Sequence, residues 1–217
     1  MSEIIEAFNK AASIYEDWYK EPMGVQVLEA ELRGLVKFLP DSGLGLEVGA
    51  GTGVFAKRLV THEREVVCVD PSSEMLMRAA EKDLHTVLCV GEGMPFRRES
   101  FDFVYLVAVV EFLSDPVEVL GSLKETMKSG TPLVTLTINR SSPWGSFYTM
   151  LAENGDPVFS HAYLYDMDEV GEFLRRSGFI VVEALSTLSN PPSAKDVGVD
   201  LVKADPEAGV VLIKSLK

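Results

Sequence analysis

The chain has 217 residues, which is enough for one domain with a well-buried core and too few for two domains of ordinary size. With 47% hydrophobic and 24% charged residues, its composition is typical of an ordered globular protein and excludes a disordered one. The net charge of −13, from 20 basic and 33 acidic residues, would repel DNA and RNA, so we expect no nucleic-acid partner.

Two helices are predicted before residue 41. Apolar residues recur at helical spacing over residues 4–18 and again over residues 25–39. Pro22 and Gly24 predict a turn between these two helices, and Pro40 ends the second one.

From Gly43 onward, short apolar runs alternate with amphipathic stretches. Continuous apolar runs are typical of strands that are covered on both faces, so they predict a parallel sheet with flanking helices. The predicted strands are residues 44–48, 66–70, 87–90, 101–110, 133–138, 180–188 and 210–216. Asp115 and Asp166 are the predicted N-caps of two helices that follow the fourth and fifth strands. We see no internal repeat or linker, which predicts a single domain.

A glycine-rich loop follows the first predicted strand, where residues 47–53 read Glu-Val-Gly-Ala-Gly-Thr-Gly. Glycines at alternate positions let the backbone approach a ligand closely and turn into the next helix. Open α/β sheets bind their ligands at this end of a parallel strand. The next strand ends at Asp70, where a carboxylate can accept hydrogen bonds from both hydroxyls of a ribose. The two features together predict a site for a ligand that contains ribose.

The loop also discriminates between ribose-containing cofactors. A dinucleotide loop reads G-x-G-x-x-G/A, whereas here the position that should be small is Val54. Glu47 would sit poorly beside a pyrophosphate, but it would tolerate the ammonium and sulfonium groups of S-adenosylmethionine (AdoMet). The pattern favours AdoMet over NAD and keeps a nicotinamide-dependent oxidoreductase as an alternative.

From residue 43 to 138 the sequence resembles the class I AdoMet-dependent methyltransferases, in particular the small-molecule branch that includes ubiquinone/menaquinone-biosynthesis and sterol methyltransferases. The resemblance lies in residues 47–53, in Asp-Pro-Ser-Ser-Glu-Met-Leu at 70–76, and in Glu-Gly-Met-Pro-Phe at 92–96 followed by Ser-Phe-Asp at 100–102. It implies a Rossmann-like, seven-stranded, mostly parallel α/β sheet with helices on both faces and an antiparallel last strand. It also implies methyl transfer from AdoMet to a small-molecule acceptor, with S-adenosylhomocysteine (AdoHcy) as the product.

The resemblance further implies a set of cofactor-binding residues. Met75 takes the position that packs on adenine, and Val107 ends the fourth strand beside the methionine part of the cofactor. The sequence departs from many relatives at Val90, where they have Asp, and at Glu111, where they often have His. The predicted cofactor-binding residues are Tyr15, Glu47, Gly49, Ala50, Gly51, Asp70, Pro71, Met75, Gly91, Glu92, Gly93 and Val107.

Glu111 is the predicted catalytic residue because it follows the strand that ends at the cofactor. A carboxylate there could orient an amine or take a proton from it, and the alternative is an exposed glutamate in the first turn of a loop. Methyl transfer is an in-line displacement, so positioning and exclusion of water can suffice without a general base. Trp144 and Tyr148 are predicted to contact the substrate, since aromatic walls suit an apolar or cationic ligand, with core packing as the alternative.

The whole chain, residues 1–217, is predicted to be one methyltransferase domain. The resemblance implies a helical lid at residues 1–40, an AdoMet-binding core at 41–139, and a substrate-side insertion, a helix and the last two strands at 140–217. A non-catalytic AdoMet-binding regulatory protein is the second alternative. The sequence assigns no oligomeric state.

Counts of cysteine and histidine predict neither a disulfide framework nor a metal site. Two cysteines are too few for the former, and the three histidines lack a spacing typical of metal ligands. The longest apolar stretch, residues 104–110, is too short to cross a bilayer, and residues 1–6 do not resemble a signal peptide. We therefore expect a cytoplasmic protein with no membrane partner.

Overall fold

One mixed sheet organises residues 2–217, the part of the chain that the computed structural model describes. Its strands are β1 (Gly43–Val48), β2 (Arg64–Asp70), β3 (His85–Leu88), β4 (Phe103–Val107), β5 (Pro132–Ile138), β6 (Ile180–Thr187), β7 (Val202–Lys203) and β8 (Val210–Leu216). Their order across the sheet is β3-β2-β1-β4-β5-β8-β6-β7. Neighbours from β3 to β5 are parallel, whereas β8 runs antiparallel to both β5 and β6.

The predicted Rossmann-like α/β sheet with an antiparallel last strand is confirmed, but the predicted number of seven strands is wrong. The eighth strand is β7, which pairs antiparallel with β6 through two residue pairs, Leu185 with Lys203 and Ser186 with Val202. A two-residue strand at the edge of a sheet carries no alternation of apolar and polar residues, so no sequence pattern could reveal it.

Seven α-helices flank this sheet within the described residues. They are α1 (Ser2–Ala11), α2 (Pro22–Phe38), α3 (Ala56–Leu59), α4 (Ser73–Ala80), α5 (Pro116–Thr126), α6 (Pro143–Glu153) and α7 (Met167–Arg176). The two predicted N-caps are confirmed: Asp115 accepts a hydrogen bond from the Glu118 amide, and Asp166 forms a capping box with Glu169. No helix in residues 2–217 is long and apolar enough to cross a membrane.

The N-terminal segment differs from its prediction. The first helix ends at Ala11 instead of continuing to residue 18, and a 3-10 segment follows at Tyr15–Lys20. Pro22 begins α2 instead of forming a turn, because proline at the first helical position loses no hydrogen bond. Gly24 lies inside α2, where a Cβ would overlap the carbonyl oxygen of Trp18. The glycine therefore allows the 3-10 segment to pack directly on α2.

Alternate residues of the central strands enter two separate cores. On β4, Phe103 and Tyr105 pack on the side of α2 and α3, while Val104 and Leu106 pack on the side of α5 and α7. Both faces of the sheet are thus covered, which is why its strands are continuous apolar runs. The carboxyl ends of β1, β2 and β4 meet at one edge of the sheet.

Replacement Gly45→Ala is expected to lower the free energy of unfolding by about 1–3 kcal/mol, the usual cost of overpacking a core. Gly45 on β1 lies opposite Phe103 on β4, and a Cβ would overlap the Phe103 ring. Urea denaturation measures the change. The control is Gly121→Ala on α5, where a Cβ meets nothing within 4 Å and helix propensity should make alanine neutral or stabilising. Equal stability of Gly45→Ala and the wild type would contradict this packing.

Candidate active site

A cavity of about 780 Å³ lies at the carboxyl ends of β1, β2 and β4. One side of it is formed by the ends of these strands, including Val48, Asp70 and Val107. The N-terminal helices and α6 cover the other side, for example with Tyr15 and Tyr148. Its volume is within the range of small-molecule and cofactor sites, and its position is where open α/β sheets bind ligands.

The glycine-rich loop needs glycine for its backbone conformation and for space. Gly49, Gly51 and Gly53 have positive φ angles of 65°, 54° and 74°, a region that other residues rarely adopt. A Cβ on Gly49 would overlap the Val109 side chain, whereas a Cβ on Gly51 would meet only the Met75 sulfur, at 4.0 Å. Gly51 therefore leaves open space in the cavity wall, against which a ligand can approach the backbone.

Asp70 joins the end of β2 to the glycine loop. Its Oδ2 atom accepts a hydrogen bond from the Gly51 amide and its Oδ1 atom accepts one from the Ser72 amide, both at 2.8 Å. Burial raises the pKa of Asp70, although these two hydrogen bonds oppose the rise. A carboxylate offers about four acceptor positions, so two of them are free to bind hydroxyl groups.

The N-terminal helix is fastened to the same region. Asn9 on α1 accepts hydrogen bonds through Oδ1 from the Ser72 hydroxyl at 2.7 Å and from the Glu74 amide at 3.3 Å. Further along, Glu16 forms an ion pair with Lys82 at 2.7 Å, and Lys82 also donates to the carbonyl oxygen of Thr52. These contacts hold α1 and the 3-10 segment over the cavity.

Glu47 lies behind the glycine loop and does not line the cavity. Its Oε2 atom accepts hydrogen bonds from the Tyr105 hydroxyl at 3.0 Å and from the Ala56 amide at 3.1 Å. Burial raises its pKa to about 8, with these two hydrogen bonds opposing the rise. Ala50 and Gly93 also lie outside the cavity wall, whereas the other predicted cofactor-binding residues line it. The structure thus gives Glu47 a position that supports the loop.

Glu111 is buried, so the alternative of an exposed glutamate is wrong. Strand β4 ends at Val107, earlier than predicted, and a short 3-10 turn then carries Glu111 into the cavity wall, with its side chain only 2% exposed. Its Oε1 atom accepts a hydrogen bond from the Ile138 amide at 2.7 Å, while its buried Oε2 atom has no partner among the described residues. Burial raises the pKa of Glu111 to about 7. Ala108 before this turn has a positive φ of 49°, a strained conformation of the kind found at functional sites.

One further buried carboxylate, Glu31, was not predicted. It belongs to α2, is 7% exposed and lines the cavity. Burial, and secondarily the negative charge of Glu111, raises its pKa to about 8. Its sequence signal was its place among the apolar residues of α2, four positions after Val27 and four before Leu35.

Three tyrosines line the same cavity as the two carboxylates. Burial raises the pKa of Tyr15 to about 12, and it raises the pKa values of Tyr19 and Tyr148 as well. The negative charge of Glu31 contributes to all three shifts, which indicates that the hydroxyls lie near it. Phenols in this state remain neutral and can donate hydrogen bonds.

The charged residues of the cavity wall are acidic. The carboxylates that line it are Glu3, Glu31, Asp70, Glu92, Glu111 and Asp156. Within the described part of the chain, no lysine or arginine lines the cavity, and His161 is its one histidine. The cavity therefore carries a negative potential that attracts cations.

The two predicted substrate residues occupy different positions in the wall. Trp144 is almost fully buried, donates a hydrogen bond through Nε1 to the Asn190 carbonyl oxygen at 2.9 Å, and packs on Gly209, so core packing accounts for most of its contacts. Tyr148 packs on Phe159 with ring centroids 4.4 Å apart. Both residues still border the cavity, as does Phe147.

Comparisons with known proteins agree with this architecture. Residues 46–135 match the family described as "Methyltransferase domain". An uncharacterized protein of Mycobacterium bovis is 30% identical over 206 residues, which cover 94% of this chain and 70% of that protein. A ubiquinone biosynthesis O-methyltransferase of Cereibacter sphaeroides is 27% identical over 82% of this chain and 80% of its own length. The crystal structure of a Thermotoga maritima SAM-dependent methyltransferase, named as a possible histamine N-methyltransferase, is 26% identical, covers 99% of both chains and has a TM-score of 0.88.

The chain belongs to the class I AdoMet-dependent methyltransferases. This membership overturns the alternative of a nicotinamide-dependent oxidoreductase and makes AdoMet the cofactor. The cavity of this methyltransferase fits AdoMet, because Gly51 leaves open space beside Asp70 and because Met75 provides an apolar wall. No group of His, Cys, Asp and Glu residues that could hold a metal ion occurs in the described part of the enzyme.

Replacement Asn9→Ala is expected to speed the dissociation of AdoHcy from the methyltransferase by about threefold to tenfold, since it removes two hydrogen bonds that hold α1 in place. Stopped-flow displacement measures the rate. Asn154→Ala is the control, because the Asn154 side chain is exposed and bonds only to its own helix end. An unchanged dissociation rate would show that α1 does not help to close the cavity over the ligand.

Replacement Glu31→Gln is expected to stabilise the ligand-free enzyme at pH 8.5 and to leave its stability unchanged at pH 5. The raised pKa means that the folded protein keeps a proton on Glu31 that the unfolded chain releases above about pH 4.5, so stability falls as the pH rises from about 4.5 to about 8 and then levels off. Glutamine removes this loss, which should raise the Tm at pH 8.5 by about 2–4 °C, or roughly 1 kcal/mol. Thermal unfolding at both pH values tests it.

The control for this experiment is Glu29→Gln on the exposed face of the same helix, where Glu29 pairs with Arg33. An exposed pair contributes little, so its Tm should change by less than about 1 °C. An equal gain at pH 5 and pH 8.5 for Glu31→Gln would contradict the assignment of a buried, proton-binding carboxylate.

Proposed function

We propose that this methyltransferase transfers the methyl group of AdoMet in line to a small-molecule acceptor. The acceptor binds under the N-terminal cover, which consists of α1, the 3-10 segment and α2. The observation that carries the proposal is that a single cavity joins the glycine loop to the wall formed by Glu31, Glu111 and Tyr148. One end of the cavity has the features of a cofactor site, and the other has aromatic and acidic side chains that no cofactor contact explains.

Each residue that lines the cofactor end has a role in binding AdoMet. Asp70 accepts hydrogen bonds from the ribose hydroxyls, and Gly49 and Gly51 let the loop backbone approach the ligand. Met75 packs on adenine, while Pro71, Gly91 and Glu92 lie along it. Val107 and Tyr15 border the methionine part. When bound, AdoMet supplies a methyl group on a positively charged sulfur.

The acceptor end positions a nucleophile and excludes water. Tyr148 and Trp144 form its apolar wall, while Glu111 orients the acceptor. Effective positioning alone accounts for much of such a reaction, so Glu111 is not required to act as a strong base. The presence of a cavity on this side, under α6, argues against a purely regulatory protein that binds AdoMet without catalysis.

Several observations support an acceptor of small size. The cavity is covered by α1 and the 3-10 segment, and its volume suits a cofactor with a small molecule beside it. The similar proteins of Cereibacter and Thermotoga are named for ubiquinone biosynthesis and histamine, respectively. The acidic lining and the net charge of −13 disfavour a nucleic acid.

In the organisation that we propose, residues 1–40 are the lid, residues 41–139 bind AdoMet, and residues 140–217 provide the acceptor side. The lid includes α2 with Glu31, so it contributes to both ends of the cavity. The cytoplasmic location stays a prediction.

Replacement Asp70→Ala is expected to weaken AdoMet and AdoHcy binding by at least about tenfold, because it removes the ribose acceptor and releases the Gly51 amide. Isothermal titration calorimetry measures both ligands, with NADH as the comparison. The exposed Asp168→Ala on α7 is the matched control and should bind like the wild type. A folded wild-type protein that binds neither AdoMet nor AdoHcy at millimolar concentration would refute the cofactor site.

A further inference from the structure

We propose that the methyl acceptor is an amine, which enters the cavity as an ammonium ion and is held between the carboxylates of Glu31 and Glu111. This proposal rests on the function proposed above and specifies the chemical class of its acceptor. It also assigns a role to Glu31, which the cofactor site does not use.

The first observation is that the two carboxylates lack partners inside the protein. The Oε2 atom of Glu111 is buried and accepts no hydrogen bond, and Glu31, for which the described residues record no side-chain hydrogen bond, lines the cavity beside it. Glu47 is equally buried but accepts hydrogen bonds from Tyr105 and Ala56. Burying a carboxylate without a hydrogen-bond partner costs several kcal/mol, which is comparable to the total free energy of unfolding of a single domain. A bound ligand with donors would offset this cost for Glu31 and Glu111.

The second observation is that no basic side chain of the described residues competes for these carboxylates. The wall has acidic residues and no lysine or arginine, so a phosphorylated or carboxylated acceptor would find repulsion instead of a counter-ion. The aromatic rings of Tyr15, Tyr19 and Tyr148 border the same space. Their faces attract a cation, which adds to the preference for an ammonium group.

A neutral hydroxyl acceptor fits this wall less well. An alcohol or phenol donates one hydrogen bond and carries no charge, so it can pair with only one of the two carboxylates and does not stabilise their ionised forms. An ammonium group has three donors and a positive charge, so it can bind both carboxylates and relieve their repulsion at once. The pair therefore discriminates by charge as well as by hydrogen bonding.

The same pair can prepare the nitrogen for reaction. An ammonium nitrogen has no lone pair, so one N–H proton first moves to a carboxylate oxygen of the pair, which then shares one proton and keeps one negative charge. The freed nitrogen lone pair forms the new N–C bond to the methyl carbon while the carbon–sulfur bond breaks and its electrons pass to the sulfur. The product leaves as a methylated ammonium ion, and its positive charge replaces that of the sulfonium.

The test compares amines with alcohols of the same carbon skeleton. Benzylamine, phenethylamine and tryptamine, and in parallel benzyl alcohol, 2-phenylethanol and tryptophol, are titrated by calorimetry into the enzyme saturated with AdoHcy. At least one amine is expected to bind at least about tenfold more tightly than its alcohol. Glu31→Gln and Glu111→Gln, which keep side-chain size, are each expected to reduce this preference at least about fivefold. Glu29→Gln, on the exposed face of α2, should retain it.

The outcomes separate this proposal from the proposed function. If AdoHcy binds but no amine binds more tightly than its alcohol, the amine proposal is overturned while the methyltransferase site stands. If an amine binds preferentially but Glu31→Gln and Glu111→Gln keep the preference, the carboxylate pair is not its receptor and the proposal fails. If AdoHcy itself does not bind, the cofactor site is refuted, and the same titrations on the protein alone still decide whether the pair holds an amine.

Discussion

The candidate site depends on the hydrogen bonds of the Asp70 carboxylate, which connect several segments around the cavity. One oxygen holds the Gly51 amide of the glycine loop, and the other holds the Ser72 amide at the start of α4. Ser72 in turn caps α4, and its hydroxyl donates a hydrogen bond to Asn9 on the N-terminal helix. A single side chain at the end of β2 thus holds the glycine loop and the start of the helix that carries Met75. Through Ser72 it also supports the contact that attaches α1. Asp70 also lines the cavity and has about two acceptor positions that these amides do not use, so the same group can organise the protein and bind a ligand.

The buried carboxylates around the cavity differ in how the protein treats them. Glu47 is surrounded by donors, and its hydrogen bonds connect β1, α3 and β4 behind the loop. Glu111 has one oxygen satisfied by the Ile138 amide and one without a partner, and Glu31 belongs to a helix face that is otherwise apolar. A group that serves only the fold is normally supplied with partners. The difference separates a carboxylate that supports the structure from two that remain available to a ligand.

The features that sequence could reveal are those that depend on a short segment. The glycine loop, Asp70 and the helix caps at Asp115 and Asp166 combine a local backbone requirement with a residue type that meets it, so their positions could be read directly. The apolar runs likewise predicted a parallel sheet, because burial on both faces removes polar positions.

Other features depend on contacts between distant segments. The first helix stops at Ala11 and the 3-10 segment packs on Gly24, a fit that neither segment indicates alone. Glu47 was assigned to the cofactor from its position beside the loop, but the fold directs its side chain towards Tyr105 on a neighbouring strand. Glu31 and Glu111 line one cavity only after α2 packs on the sheet, which explains why one of the two was missed.

The N-terminal segment covers the cavity together with α6, so its position affects cofactor exchange and acceptor binding together. Tyr15 and Glu31 both belong to the N-terminal segment and both line the cavity, so a movement of that segment would open to water both the cofactor end and the acceptor end proposed above. Such a movement would rehydrate the carboxylates of Glu31 and Glu111, and in water both ionise readily. When the segment closes again on an empty acceptor end, the two acids must take up a proton from solvent or repel each other. Closure around a cation avoids both, so the occupancy of one end of the cavity influences how firmly the other is held.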